Sequence, residues 1–371
     1  MVMIEEKKSL FKRLFARFDF ILFIVISLIT IYGAFAIHGA VYNVPGLSKF
    51  SEKQIMWFFA ALPIFLIISF LDYEWVRHLC WPMYLICIIV LVLLLFYGHK
   101  VKGARSWFAI GAYRIQPSEF AKIVVTICLA HFLAWKEKPV ASLWDLIAPA
   151  AIVGIPVFLI LQEPDFGTAV LFFPLFLIML YAGGASRRLI LLCILMTVWA
   201  ALLAYPMLKP YQKARIKVFL NPEHDTKWHG YNIRQAEISL GSGGIYGKGW
   251  KQGTQTKLGF LPERHTDFIF STLGEQFGFS GCVLLVFLYA IAAWRAGRIA
   301  MRARDKFGRL LVTGLISLFL IHIIFNIGMS LRFFPVTGLP LPLFSYGGSF
   351  LLTNFIMFGI VQSVGVKKVN F

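Results

Sequence analysis

The sequence predicts an all-α polytopic membrane protein of about ten transmembrane helices, with both termini cytoplasmic. Three observations lead there. Of 371 residues, 59% are apolar and 15% charged, whereas soluble domains run at about 45–50% apolar and about 25% charged. The apolar residues fall in runs of about 20, the length that crosses a bilayer. The basic residues are divided unevenly between alternate connections, as membrane topology requires. A soluble globular protein and a disordered one are both excluded.

Taken in order, the runs place spans near 19–38, 55–71, 78–97, 117–135, 144–161, 166–184, 188–206, 277–295, 309–331 and 347–366. Ala34-Phe35-Ala36 resembles a leader cleavage site. The run before it exceeds the 7–15 apolar residues of a secretion signal, so it is read as the first span. Glu163-Pro164-Asp165 breaks one long apolar stretch. It is read as a tight turn, with Pro164 opening the next helix. With the N-terminus inside, 18 of the 36 basic residues lie on inside segments and 7 on short outside loops. The long outside loop 206–276, between spans seven and eight, holds the remainder apart from Lys122, and long loops escape the charge rule. The whole chain, 1–371, reads as one domain. The five cysteines form no CxxC pair and read as buried small hydrophobes.

The net charge of +18 would suggest nucleic acid in a soluble protein. Here no basic domain stands apart and no nucleic-acid motif is present, so no such partner is expected. Lys100, Lys102, Arg105 and Arg114 gather on the outside, against the topology rule. An anionic ligand arriving from that face and a lipid-headgroup belt both account for them.

Four stretches carry candidate chemistry. Gln116-Pro117-Ser118-Glu119 opens the fourth span, and Glu119 and Lys122 share a helix face three residues apart. A lone ion there costs about 2.5–3.5 kcal/mol on insertion scales, so the two should pair and face a polar cavity, structurally or functionally. In the long loop, Tyr231 to Leu240 suits a short helix. Gly241 to Trp250 is either a phosphate-cradling backbone beside Lys248 and Lys251 or a turn series. Glu263-Arg264-His265-Thr266-Asp267 then runs into Phe268-Ile269-Phe270. Asp267 is the candidate general base, and a solvated Glu263–Arg264 pair is the alternative. The last outside loop, Pro335 to Ser349, is rich in proline and glycine. Irregular backbone at membrane depth must line a cavity or be buried in protein.

Gln116 to Lys122, Leu261 to Phe270 and Pro335 to Ser349 together resemble the SEDS family (shape, elongation, division and sporulation) from end to end. Lys102-Gly103-Ala104-Arg105, Glu163-Pro164-Asp165 with Gly167-Thr168-Ala169, and Gly241 to Gln255 support the resemblance. The loop wording is closer to the elongation branch than to the division branch. The resemblance implies ten helices in the bacterial cytoplasmic membrane. It also implies a peptidoglycan glycosyltransferase that polymerises lipid II into a nascent glycan strand outside, for cell elongation and rod shape, releasing polyprenyl pyrophosphate. It makes Asp267 the catalytic residue, as direct base or as ligand of a divalent cation (Mg or Mn). It places Glu119 and Lys122 on the central cavity and Ser345 among the substrate contacts, and gives Lys102, Arg105 and Lys248 a role against the departing pyrophosphate. The implied partners are a class B penicillin-binding protein, which is a transpeptidase, and the elongation machinery. A lipid II flippase and a scaffold for the transpeptidase are the other classes. A flippase needs no outside base, and a scaffold leaves Glu119 and Lys122 unexplained. Arg332, Phe350 and Gln276 depart from the family pattern, where Gly, Ser and Glu are common.

Overall fold

The computed structural model describes residues 17–367 except 43, 45, 102–103, 112, 208–212, 214–216 and 220–228. Lys102 therefore lies outside the described residues. Among the described residues, helices lie at each of the expected runs: α1 (Phe20–Val41), α2 (Phe50–Phe70), α4 (Cys80–Tyr97), α5 (Pro117–Trp135), α6 (Ile147–Gln162), α7 (Phe166–Ala182), α8 (Arg187–Ala204), α11 (Ile269–Met301), α12 (Lys306–Ser330) and α13 (Gly348–Val366). The short helix α3 (Tyr73–His78) links α2 to α4, and α9 (His229–Ser242) and α10 (Thr254–Lys257) lie in the long loop. Among the described residues eight helices are long and apolar enough to cross a membrane, and Phe166–Ala182 is a shorter apolar helix.

α13 is the most enclosed span, 89% buried, whereas α4 is 17% buried. The outer faces of α1, α2, α4 and α8 expose large apolar side chains such as Ile24, Ile31, Phe59, Leu85 and Leu203. Such faces suit lipid rather than water.

The two ends of the bundle are held differently. At one end, Asp19 caps α1 by accepting from Leu22 N at 3.0 Å and grips Arg295 of α11 through Nη2 at 2.7 Å and Nε at 3.0 Å. Tyr73 donates to Asp305 at 2.7 Å there, and Lys367 pairs with Asp72 at 3.5 Å. The other end carries the irregular backbone and every candidate site residue that is described.

Three local features depart from the expectations. The connection before α5 is a small antiparallel sheet, β1 (His99–Val101), β2 (Ala104–Ile110) and β3 (Tyr113–Ile115), in an otherwise helical chain. Phe108 faces Ile115 and Ile110 faces Tyr113 across it. β-branched and aromatic residues favour this pairing, which also satisfies backbone groups beside the membrane. Second, α7 begins at Phe166 and not at Pro164, because Asp165 caps it by accepting from Thr168 N at 3.1 Å. Third, the expected eighth span starts eight residues early. α11 begins at Ile269 and breaks at Gly278, whose φ is 65°.

Gly167 sets how closely α7 approaches the last loop. A Cβ there would lie 2.3 Å from the Thr337 carbonyl oxygen, which is backbone and cannot swing aside. Gly167→Ala should therefore destabilise the protein by about 1–3 kcal/mol, the usual range for overpacking. Gly154→Ala is the control, since nothing lies within 4 Å of its added Cβ. Thermal unfolding in detergent separates the two, and equal melting temperatures would contradict the close contact.

Candidate active site

Proline at the first position of α5 fixes the helix start. Glu119 and Lys122 then project from one face into the protein. Lys122 Nζ lies 2.8 Å from Glu119 Oε2, and both side chains are almost completely buried. A third group, absent from the sequence expectations, completes this pair. His322 of α12 places Nε2 2.8 Å from the same ammonium. The Phe350 ring lies 5.5 Å from Lys122 Nζ. These four residues line a cavity of about 20 Å³ with Thr353 and Asn354, room for about one water.

Asp165 ties this cluster to the neighbouring turn. Its Oδ2 accepts from Gln116 Nε2 at 2.9 Å and from Ser118 Oγ at 3.3 Å. The motif at the start of α5 and the turn before α7 therefore hold one another.

Asp267 sits half-buried just before α11. The residue after it, Phe268, is buried with Leu261 and Ala236, which anchors the segment. Asn326 of α12 donates to the Asp267 carbonyl at 2.9 Å and to the Leu339 carbonyl at 2.7 Å. Ser345 Oγ donates to the Thr266 carbonyl at 2.7 Å and accepts from Leu341 N at 2.8 Å. Tyr346 N donates to the His265 carbonyl at 2.9 Å. The last loop and the Asp267 segment thus form one unit. Gly338 (φ 75°) faces the carboxylate, where an added Cβ would stand 3.5 Å from Asp267 Oδ2. His322 and Asn326 are one helical turn apart on α12, a rise of about 6 Å, so the buried ions and Asp267 are attached to adjacent turns.

The FtsW/RodA/SpoVE family of cell cycle proteins matches residues 13–370. The chain belongs to this family, SEDS. It is 41% identical over 287 residues to the peptidoglycan glycosyltransferase MrdB of Escherichia coli K12, covering 77% of each. It is 31% identical to the peptidoglycan glycosyltransferase RodA of Treponema pallidum, covering 95% of this chain and 98% of that one. A solved chain from work on structural coordination of polymerization and crosslinking by a peptidoglycan synthase complex matches with a TM-score of 0.84 and 28% identity, covering 95% of this chain and 99% of that one. The rod shape determining protein RodA of Thermus thermophilus matches with a TM-score of 0.71 and 27% identity, covering 95% and 98%.

Around this SEDS core the remaining expected residues have defined partners. Lys248 Nζ lies 3.2 Å from Glu275 Oε1 and 2.8 Å from Thr254 Oγ1. Glu275, fully buried, also accepts from Gln255 N at 2.8 Å, Thr256 N at 3.1 Å and the Thr256 hydroxyl. The ammonium therefore anchors α10 to α11. The glycines before it serve the same join: Gly247 packs on the Gln276 backbone, while Lys248 N and Gly249 N donate to the Glu275 and Gln276 carbonyls. Arg105 donates from Nη1 to the Leu95 carbonyl in the last turn of α4 at 3.1 Å. Arg264 is buried and donates to the Thr256 carbonyl at 2.6 Å, so it is not half of a solvated pair. Arg332, at φ 63°, occupies the left-handed conformation that favours glycine, and pairs at the surface with Glu237 at 3.7 Å. Among the described residues no three His, Cys, Asp or Glu side chains converge on one point.

Glu163, in the turn after α6, is fully buried, and neither carboxylate oxygen has a hydrogen-bond partner among the described residues. Burial first, and Asp165 second, push its carboxyl up from 4.5 to about 9. Between these values the folded chain holds a proton that the unfolded chain has released. Stability therefore falls as pH rises through that window and levels off above it. Glu163→Gln should flatten this slope in melting temperature against pH, and an unchanged slope would contradict the assignment. Separately, removing either member of the Glu119–Lys122 pair strands the other charge, at about 3–5 kcal/mol. Glu119→Ala and Lys122→Ala should each lower the melting temperature and glycan synthesis, and wild-type behaviour in both would rule out coupling.

Proposed function

We propose that this SEDS protein is a peptidoglycan glycosyltransferase that extends glycan strands from lipid II at the outer face of the cytoplasmic membrane, with Asp267 as its base. The observation that carries the reading is the Asp267 carboxylate itself. It is half-buried against Gly338, on a segment locked by Asn326 and Ser345, and Asn326 lies one turn along α12 from His322 of the buried ion cluster. A base must be held within reach of the proton it takes, and this segment is braced on three sides.

In the proposed reaction the 4-hydroxyl of the acceptor sugar gives its proton to Asp267 as its oxygen bonds to the anomeric carbon of the lipid-linked donor. The bond from that carbon to the phosphate oxygen breaks, and its electron pair leaves with polyprenyl pyrophosphate. Charge developing on the pyrophosphate needs preorganised cations. We assign this role to Arg105, because a guanidinium has five N–H donors and the Leu95 carbonyl takes one. Lys248 already neutralises Glu275 and acts by holding its loop. A divalent cation, Mg²⁺ or Mn²⁺, would be held by the Asp267 carboxylate, since Mg²⁺ is usually bound through one or two carboxylates together with substrate phosphates. When bound, the ion would neutralise phosphate charge. A class B penicillin-binding protein is the proposed partner, within the elongation machinery.

Purified protein, lipid II and a divalent cation, with and without the transpeptidase, provide the test. Asp267→Asn keeps the side-chain shape but removes the base and the anionic ligand. It should insert and bind the partner normally yet lose glycan synthesis by about 10²–10⁴-fold, the range for general-base catalysis. Near wild-type polymer from Asp267→Asn would overturn the assignment.

A further inference from the structure

We infer that His322 is a positioning residue, whose neutral imidazole aims the Lys122 ammonium and keeps it in register with the Asp267 segment. This inference rests on the glycosyltransferase reading. An ammonium has three N–H donors and no acceptor. At 2.8 Å from Lys122 Nζ, His322 Nε2 must therefore be the accepting nitrogen. The imidazole proton then sits on Nδ1. Glu119 Oε2, also at 2.8 Å, takes a second ammonium donor. Two of the three N–H directions are thus fixed by groups on different helices, and that fixes the third. Only a neutral imidazole can do this, since its protonated form has no acceptor.

The packing around the ring supports a positioning role. His322 is 3% exposed and Lys122 is 2% exposed. The Phe350 ring closes one side, with its centroid 5.3 Å from that of His322 and 5.5 Å from Lys122 Nζ. The Pro340 backbone lies near the imidazole, and Nδ1 has no hydrogen-bond partner among the described residues. One turn along α12, Asn326 holds the neighbouring Leu339 carbonyl and the Asp267 carbonyl. Two successive turns of α12 therefore meet adjacent residues of the last loop, Pro340 and Leu339. One turn also holds Lys122 and the other holds Asp267. His322 itself does not touch the proposed reacting atoms and acts through Lys122.

Side-chain reach supplies a discriminating test. The amide of Gln extends to where Nε2 sits, whereas the amide of Asn extends only to the place of Nδ1. His322→Leu and His322→Asn remove the acceptor facing Lys122, and His322→Gln keeps it. Polymerisation of lipid II by purified, folded variants is measured as kcat and KM separately, alongside melting temperature. Misplacement of a catalytic group by about 1 Å can cost on the order of 10²-fold. The expected result is a loss of that order in kcat for the Leu and Asn variants. KM should stay close to wild type, and the Gln variant should recover most of the rate. A Gln variant as slow as the Leu variant would overturn the inference. So would losses in Leu and Asn that follow melting temperature alone, or rates equal to wild type. Wild-type protein is the control: an inactive wild type would sink the glycosyltransferase reading, whereas an active wild type beside an equally active Leu variant would sink only the role of His322.

Discussion

A lysine ammonium enclosed by the spans of a membrane protein has to be answered by groups that approach it from more than one element. Lys122 is answered by Glu119 on its own helix and by His322 on α12, under the Phe350 ring of α13. Those contacts bring α5, α12 and α13 together at one point, and these are among the most enclosed spans. Much of the remaining architecture of this end follows from that constraint. Gln116 and Ser118, just before the pair, hold Asp165 and so fix the start of α7. Gly167 then sets α7 directly on the Thr337 backbone, and the last loop arrives over Asp267.

A second constraint governs the same end. The backbone from 331 to 347 is irregular, and buried carbonyl and amide groups must find partners. Side chains supply them. Asn326 takes two carbonyls, Ser345 takes one carbonyl and one amide, and Gln54 of α2 donates to the Ser345 carbonyl at 3.1 Å. The polar residues around Asp267 are therefore both a site and the mortar of the loop. A substitution among them perturbs backbone position before it perturbs chemistry.

The helices were legible because runs of about 20 apolar residues have one common solution in lipid. Glu119, Lys122 and Asp267 were legible because ionisable groups in or beside apolar runs stand out. His322 carries the same signal, an ionisable group in the run Leu320-Ile321-His322-Ile323, yet it was overlooked because its partner lies 200 residues away. The sheet before α5 was missed for a different reason. Its strands are short, and in sequence its basic residues stand out as charge rather than as strand. Gly241 to Trp250 left two readings open, since glycines serve a ligand and a neighbouring helix equally well in sequence. In the structure Gly243 and Gly247 face the backbone of α11. Lys248 looked like a loose cation because Glu275, its counter-charge, falls 27 residues further on.

The break at Gly278 divides α11 into a long membrane segment and a short stub, 269–277, that follows directly from Asp267. The stub is bonded along its length to the long loop: Lys248, Gln255 and Thr256 clasp Glu275, and Gly243 lies against Gly274. The same loop also reaches past the break, where Phe279 N and Ser280 N donate to the Gly244 and Ile245 carbonyls at 2.8 and 3.0 Å. The glycine-rich stretch thus splints the two halves of α11 across the break, and the carboxylate just before the helix takes its fixed bearing from that splint.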